Sequence, residues 1–315
     1  MSRAFTDSSS VARAYDNWTN DALLERLWGE HIHLGYYPRG QQEPRSASGR
    51  TDFRHSKALL VHELVRWSGL DRLPRGARLL DVGCGIGGSA RMLAADYGFD
   101  VLGISISPAQ VARAQALTPA ELAPRCRFAV MDALALELSD ASFDAVWSVE
   151  ACPHMADKQR YADELLRVLR PGGRLAVADW NRRDPAVGTM SRRERWVMRQ
   201  LLDNWAHPEF ASIEGLQRNL QGSHQGAGIS IDTADWSAET LPAWLDSIAE
   251  GVRRPGAVLG LGPRGVLLGV REIPTILLMH WAFATGLMRF GVFRGVKPGP
   301  SSTGTETVQT SLSIG

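Results

Sequence analysis

The residues of this chain best suited to chemistry begin at Asp81-Val82-Gly83-Cys84-Gly85-Ile86-Gly87-Gly88, an acid followed by a glycine-dense turn. Leu79-Leu80 before it read as the end of a buried strand, and Ser89-Ala90-Arg91-Met92-Leu93 after it as the opening of a helix. Such a turn lets a ligand approach bare backbone with no Cβ in the way. The N–H groups that open the helix favour an anionic group, and Asp81 supplies a carboxylate for a cationic one. The spacing Gly83-x-Gly85-x-x-Gly88 leaves three readings open: S-adenosylmethionine, a nicotinamide or flavin nucleotide, or glycines that serve only helix–strand packing.

Further candidates follow in chain order. Gly103-Ile104-Ser105-Ile106-Ser107 ends a second apolar stretch, where Ser105 and Ile106 would face a ribose. Many folds of this kind place an acid there, and a hydroxyl bonds a ribose less strongly than a carboxylate does. Met131-Asp132-Ala133 ends a third stretch; Asp132 can accept from an adenine amine or cap a helix. Glu150 and His154 follow a fourth. Leu169-Arg170-Pro171-Gly172-Gly173 predicts a sharp helix-to-strand turn, and Cys84 reads as a small packing residue, not a nucleophile. Taken in this order, the features point to S-adenosylmethionine on a methyltransferase fold. Its sulfonium methyl is already electrophilic, so the chemistry calls for no metal.

Bringing these groups together requires strand ends side by side. Strands are expected at Arg78–Val82, Asp100–Ser105, Cys126–Val130, Phe143–Ser148 and Arg174–Asp179, with helices at Gly88–Tyr97, from Pro108, and at Asp157–Leu169. This alternation predicts an α/β fold: a Rossmann-like, mostly parallel sheet, helices on both faces, and the ligand at the carboxyl ends of the strands. Before it come a helix over Ser10–Leu27, an aromatic- and imidazole-rich stretch Trp28–Pro38, a polar surface segment Gln41–Arg50 and an amphipathic helix Ser56–Gly69. After Asp179 the rhythm changes. A capping box at Ser191–Glu194 opens a helix with Val197, Leu201, Leu202 and Trp205 on one side. Then follow a strand at Asp232–Trp236, a helical stripe Leu241, Trp244, Leu245, Ile248 and Val252, a Gly/Pro linker Arg253–Gly265, the apolar run Ile273–Met288 and an edge strand Phe290–Val296. The expected division is 1–75 as a helical cap, 76–181 as the cofactor-binding core, 182–298 as lid, substrate region and last strands, and 299–315 as a disordered tail.

Of the 315 residues 44% are hydrophobic, enough for a large core, and the net charge of +1 gives nucleic acid no electrostatic foothold. Cys84, Cys126 and Cys152 are scattered, which argues against a disulfide framework or a zinc site and fits a reducing compartment. Met1–Asn20 lacks the apolar centre of a secretory signal. Ile273–Met288 contains Pro274 and His280 and falls short of the roughly 20 residues of a span. The expectation is a cytoplasmic or peripherally membrane-bound protein without a transmembrane span.

Gly29-Glu30-His31-Ile32-His33-Leu34-Gly35-Tyr36-Tyr37, the Asp81–Ser89 loop, Trp147-Ser148-Val149-Glu150 with His154-Met155-Ala156-Asp157-Lys158, Thr233–Ser237 and Gly286–Gly291 together resemble the signatures of the tocopherol methyltransferase family of photosynthetic organisms. The likeness runs from about Ser10 to Pro298. It implies an S-adenosylmethionine-dependent C-methyltransferase acting on the aromatic ring of a prenylated quinol or phenol, at or near a photosynthetic membrane. The implied substrates are γ-tocopherol, or the 2-methyl-6-phytyl- or solanesyl-benzoquinol of tocopherol and plastoquinone biosynthesis. Two departures bear on that choice. Glu150-Ala151-Cys152-Pro153-His154-Met155 stands where the family often reads Glu-Ser-Gly-Glu-His-Met, and Leu34 where it often has a third histidine. The first variant is closer to the cyanobacterial, quinol-methylating branch.

A ring carbon becomes strongly nucleophilic when the neighbouring phenol loses its proton, so a positioned base is the useful group. His154, beside the expected methyl position, is the first candidate. Glu150 is the second, as a base, an orienting carboxylate or a cofactor contact. His31 and His33, closing over the site, are the third. The cofactor is expected against Asp81, Gly83, Cys84, Gly85, Gly87, Ser105, Ile106, Asp132, Ala133, Glu150 and Tyr36. Ser191–Phe290, with Trp196, Trp205, Trp236, Trp244 and Trp281, reads as a lid and prenyl tunnel. The competing readings are a small-molecule N- or O-methyltransferase of the same fold, a non-catalytic lipid-binding protein with a methyltransferase-like fold, and a dehydrogenase. Nothing in the sequence sets the oligomeric state.

Overall fold

Alternation along the strands builds two cores, one on each side of a sheet. In β1 (Arg78–Val82), Leu79 packs into one and Leu80 into the other; in β4 (Phe143–Val149), Trp147 and Val146 divide the same way. The computed structural model describes residues 5–38, 52–205, 207–226 and 228–299, so the Gln41–Arg50 segment and the tail from residue 300 lie outside the described residues. With β2 (Asp100–Ser105), β3 (Cys126–Val130), β5 (Leu169–Arg182), β6 (Ile231–Asp235) and β7 (Met288–Val296), the described strands form a seven-stranded sheet in the order β3-β2-β1-β4-β5-β7-β6. The first five pair in parallel; β7 runs antiparallel to β5 and to β6. This is the predicted mostly parallel α/β fold. One face is covered by α3 (Phe53–Ser68), α4 (Gly88–Asp96) and α5 (Pro108–Leu117). The other is covered by α6 (Lys158–Val168) and α8 (Ile213–Gln221).

Several expectations change. The single N-terminal helix is two, α1 (Ser8–Asp21) and α2 (Leu23–Trp28), broken at Ala22 with φ 55°. The break lets α1 pack on α5 while α2 joins the C-terminal helices, and these tertiary contacts override local helix propensity. Strand β5 starts five residues early. The Pro171-Gly172-Gly173 turn is absorbed as a bulge, the partners of β4 jumping from Phe143↔Leu169 to Ala145↔Arg174, while the Gly172 N–H donates to the Lys297 carbonyl at 2.8 Å. The expected edge strand β7 is interior, and the edge falls to β6.

Outside β6, the described chain between β5 and β7 is mostly helical. The predicted capping box opens α7 (Arg192–Asn204), with Val197, Met198 and Leu201 buried. A short α9 (Ser237–Thr240) precedes α10 (Pro242–Arg253), which buries Ala243 and Trp244 but leaves Leu245 and Val252 of the predicted stripe exposed. The Gly/Pro linker is not a loop: it forms α11 (Pro255–Leu259) and the start of α12 (Gly262–Ala284), with Pro255 and Pro263 in first turns, where no N–H is missed. Pro274 sits inside α12. The apolar stretch therefore begins earlier than expected. By length and composition alone, Gly265–Ala284 is long enough to cross a membrane, although Met279, Ala282 and Phe283 at its end are buried in the core.

Candidate active site

The loop after β1 is drawn under β2: the Gly83 and Cys84 N–H groups both donate to the Ile104 carbonyl, at 3.0 and 2.9 Å. A Cβ on Gly85, at φ +55°, would enter open space, the side from which a ligand approaches. A Cβ on Gly88 would lie 2.3 Å from the Glu30 carbonyl oxygen, so the Glu30–His33 strap can close on the loop only over glycine. Between strap and loop, Asp81 is 3% exposed and its Oδ2 has no hydrogen-bond partner. Burial alone pushes this carboxyl up to about 7. A cationic group placed here would satisfy the orphaned oxygen and restore the charge, as the ammonium of S-adenosylmethionine requires. His31 and His33 stand in the same small cavity, both ring systems reaching the Ser89 hydroxyl, at 3.4 and 3.2 Å. Burial holds both neutral, His31 falling to about 4.

The cleft continues along the ends of β2 and β3. Ser105, Ile106, Asp132 and Ala133 line it, with Gly83, Gly85 and Glu150. The Ser105 hydroxyl is already engaged, donating to Gln110 Oε1 at 2.7 Å and accepting from the Ser107 N–H at 3.1 Å. Gln110 thus stands beside Ser105 on the wall of the cleft. Asp132 Oδ1 caps its own turn, accepting from the Leu134 N–H at 2.9 Å, while the residue still faces the cleft. Helix α1 roofs this region: Asp16 accepts from the Ser107 hydroxyl at 2.5 Å and the Ala109 N–H at 3.2 Å. The cleft thus offers a buried carboxyl with an unpartnered oxygen, a bare loop, a hydroxyl–amide pair after β2 and an acid after β3, a set that fits S-adenosylmethionine. Tyr36, expected at the cofactor, is not part of the cleft. Its N–H is tied to the Ser56 carbonyl of α3 at 2.8 Å, which carries the ring onto Trp236 at 5.1 Å between centroids. Cys84 is buried with its thiol pushed well up, as suits a packing residue.

A second cavity, about 310 Å³ and almost wholly apolar, lies between α1, α2 and α10–α12. Tyr15, Ile32, Glu150 and His154 line both cavities and form their junction. His154 Nε2 is 2.7 Å from the Tyr15 hydroxyl, while Nδ1 has no partner; burial lowers the imidazole to about 3, so it is neutral. Glu150 has φ +55°, a left-handed conformation that costs a glutamate about 1–3 kcal/mol and is typical of functional positions. Its Oε1 accepts from the Leu34 N–H at 2.7 Å, and burial raises the carboxyl to about 7. The fully buried Lys57 donates to the His33 carbonyl at 2.6 Å and the His31 carbonyl at 3.0 Å. One peptide, His33–Leu34, is thereby gripped by Lys57 at its oxygen and by Glu150 at its nitrogen. The structure brings Glu150 and His154 together at the junction; His31 and His33 lie at the Asp81 end.

Of the five tryptophans expected in the tunnel, Trp205 and Trp244 line the cavity, joined by Trp18, Trp28 and Trp180. Trp196 is exposed, Trp236 packs on Tyr36 and Trp67, and Trp281 faces the Arg193 guanidinium. Sequence reasoning also missed Tyr15, Gln110, Lys57 and His207. Tyr15 and Lys57 lie on helices whose apolar spacing reads as packing, and His207 falls in an irregular, Gln- and Gly-rich stretch.

The methyltransferase-domain family matches residues 80–177, from within β1 to within β5, a span that includes the glycine loop. Over 295 residues the chain is 55% identical to 2-methyl-6-phytyl-1,4-hydroquinone methyltransferase of Synechocystis sp., covering 94% of this chain and 90% of that one. It is 32% identical to the chloroplastic tocopherol O-methyltransferase of Arabidopsis thaliana, covering 95% and 86%. Among solved structures, a putative sarcosine dimethylglycine methyltransferase from Galdieria sulphuraria superposes with a TM-score of 0.74 at 21% identity, over 88% of this chain and 98% of that one, and shares the fold. With the acid, glycine loop and strand-end cleft in place, this chain belongs to the tocopherol methyltransferase family of class I S-adenosylmethionine-dependent methyltransferases.

Proposed function

We propose that this enzyme methylates a ring carbon of a prenylated 1,4-benzoquinol, the substrate class in the name of its Synechocystis relative. The observation that carries the reading is the apolar cavity that meets the cofactor cleft at Tyr15, Ile32, Glu150 and His154. A prenyl tail fills the apolar part, at about 25 cal/mol per Å² of surface removed from water, and the ring stops at the polar junction. S-adenosylmethionine, when bound, supplies an electrophilic methyl group. Asp81 holds its ammonium, Gly83, Cys84 and Gly85 line the space for its amino-acid end, Ser105, Ile106 and Gln110 meet the ribose, and Asp132 and Ala133 the adenine. Gly87, expected beside them, serves the turn from behind, since a Cβ there would lie 2.6 Å from the Phe128 ring. With the Nε2 proton of His154 given to the Tyr15 oxygen, Nδ1 is the accepting nitrogen and takes the phenol proton. The phenolate forming beside it offsets the desolvation that keeps this imidazole weakly basic. Glu150, anchored by the Leu34 N–H, orients the ring and balances the new imidazolium. His31 and His33 close the cofactor end against water.

Incubation with labelled S-adenosylmethionine and a panel of prenylated quinols, tocopherols and amines tests the reading. The expected product is a quinol heavier by one methylene unit, with the label on carbon. Label on nitrogen or oxygen only would replace this reading with the small-molecule N- or O-methyltransferase alternative.

The cavity mouth supports peripheral contact with a bilayer, where such substrates dissolve. Val252 and Val270 line the cavity yet are well exposed, and Leu259 and Leu267 beside them are 63% and 68% exposed. Leu259→Glu with Leu267→Glu is expected to lower vesicle partitioning at least about tenfold, since each buried leucine contributes roughly 1.5–3 kcal/mol. Flotation of the double variant equal to wild type would remove the docking face.

A further inference from the structure

Among the ionisable side chains that line the apolar cavity, His207 takes no part in the steps above and sits directly against His154. His207 follows α7, its N–H donating to the Leu202 carbonyl at 3.0 Å, and it is 3% exposed. Neither ring nitrogen makes a hydrogen bond of ordinary geometry, although the Pro153 carbonyl lies close by. Its ring stacks on His154, with centroids 4.3 Å apart and 31° between planes, and meets Trp180 edge-on at 5.7 Å and Phe210 at 4.8 Å. Leaving a buried polar group unsatisfied costs about 1–3 kcal/mol. Buried polar atoms in native proteins seldom lack partners, and each exception calls for a reason. Apart from the Pro153 carbonyl, the neighbours its ring meets are the aromatic rings of His154, Trp180 and Phe210, so at least one of its nitrogens is left without a protein partner. The cavity wall on which it sits supplies a reason: a ligand that brings its own polar atom.

We propose that His207 is a specificity-determining residue, hydrogen-bonding the second hydroxyl of the acceptor ring, para to the one that gives its proton to His154. The inference rests on the prenylated-quinol reading of the preceding subsection. The His154 and His207 rings lie 4.3 Å apart, centroid to centroid, on the same cavity wall, so one 1,4-quinol ring seated against that wall meets both imidazoles. Burial, reinforced by the neighbouring His154 and Lys158, keeps His207 neutral. A neutral imidazole offers one donor and one acceptor, which matches a hydroxyl, itself both. A prenylated phenol lacking that hydroxyl would bury the imidazole without relief. Sites built to bond a hydroxyl reject the analogue without it far more strongly than apolar pockets discriminate by size.

The test compares kcat/KM for a prenylated 1,4-hydroquinone and for the matching phenol without the second hydroxyl, in wild type, His207→Phe and His207→Gln. The two acceptors differ in intrinsic reactivity, but the ratio taken across wild type and variant cancels that difference. The expected result is a quinol preference reduced about tenfold or more in His207→Phe, the equivalent of one buried hydrogen bond left unmade, and largely retained in His207→Gln. S-adenosylmethionine affinity, measured by calorimetry, stays within a few-fold, because His207 lies outside the cofactor cleft. If His207→Phe fails to fold, His207→Asn, too short to reach the ring, is read in its place against His207→Gln. A preference unchanged within about twofold in the non-bonding variant overturns the inference while leaving the quinol reading intact. Transfer by wild type to neither acceptor overturns both.

Discussion

His154→Ala is expected to lower kcat on a prenylated quinol by about 10²–10⁴-fold, the usual contribution of a positioned base, with S-adenosylmethionine affinity within a few-fold of wild type. Steady-state kinetics and calorimetry read the two quantities separately. Tyr15→Phe should fall between, because its hydroxyl orients the imidazole through the 2.7 Å contact but takes no proton from the substrate. The pH profile adds an independent mark. The His154 imidazole, lowered to about 3, is neutral throughout the working range, so its ionisation gives kcat/KM no limb between pH 5 and 8. Glu150, raised to about 7, does titrate there. If its anion is the working form, kcat/KM for the acceptor at saturating cofactor rises with pH through about 7 and flattens above, and Glu150→Gln removes the limb. Turnover of His154→Ala within about threefold of wild type would strip His154 of the base role and leave Glu150 as the candidate.

The sheet was readable because its signals are local and mutually consistent. Runs such as Leu79-Leu80 and Val146-Trp147 are apolar on both faces, and a turn or cap brackets each: Gly83–Gly88 after β1, Pro108 at the start of α5, Asp157 before α6. What depended on distant contacts was not readable. Ala22 carries no breaker signal, and its left-handed φ exists because α2 has C-terminal helices to join. The glycines and prolines of Arg253–Gly265 do read as a linker, yet the helices there follow from packing on α2 and α10. The site divides in the same way. Asp81 and Glu150 announce themselves by type and by position at the carboxyl ends of strands. Lys57 does not, since its role lies in the carbonyls of His31 and His33, 26 and 24 residues away. Tyr15 and His207 come to His154 from sequence separations no pattern encodes, and Tyr36, in a telling motif, is held elsewhere by Gly35 pressing on α3.

Asp81→Asn is expected to weaken S-adenosylmethionine binding by about 10²-fold or more, the scale for removing one partner of a buried charge pair, and to stabilise the ligand-free protein. Both effects come from the same burial. Ligand-free, Asp81 has a carboxyl raised from 3.8 to about 7, so the fold favours the protonated form. Its contribution to stability is complete below pH 3.8 and is lost as pH rises toward 7; above that the carboxylate burdens the fold by the order of ~4 kcal/mol, at ~1.4 kcal/mol per pH unit. Ligand-free Asp81→Asn should therefore melt above wild type at pH 8, and the gap should close as the pH is lowered toward 4. Binding runs the other way. The ligand's ammonium selects the carboxylate, so wild-type affinity falls about tenfold per unit below pH 7, while the variant's weak affinity is flat between pH 5 and 7; toward pH 8 both decline together as the ligand's α-amino group, at about 7.7–8.0, loses its own proton. Melting curves with and without cofactor at pH 5, 6, 7 and 8 measure both slopes. A variant that binds within about threefold of wild type, or keeps the wild-type pH slope, would place the ammonium somewhere other than against Asp81.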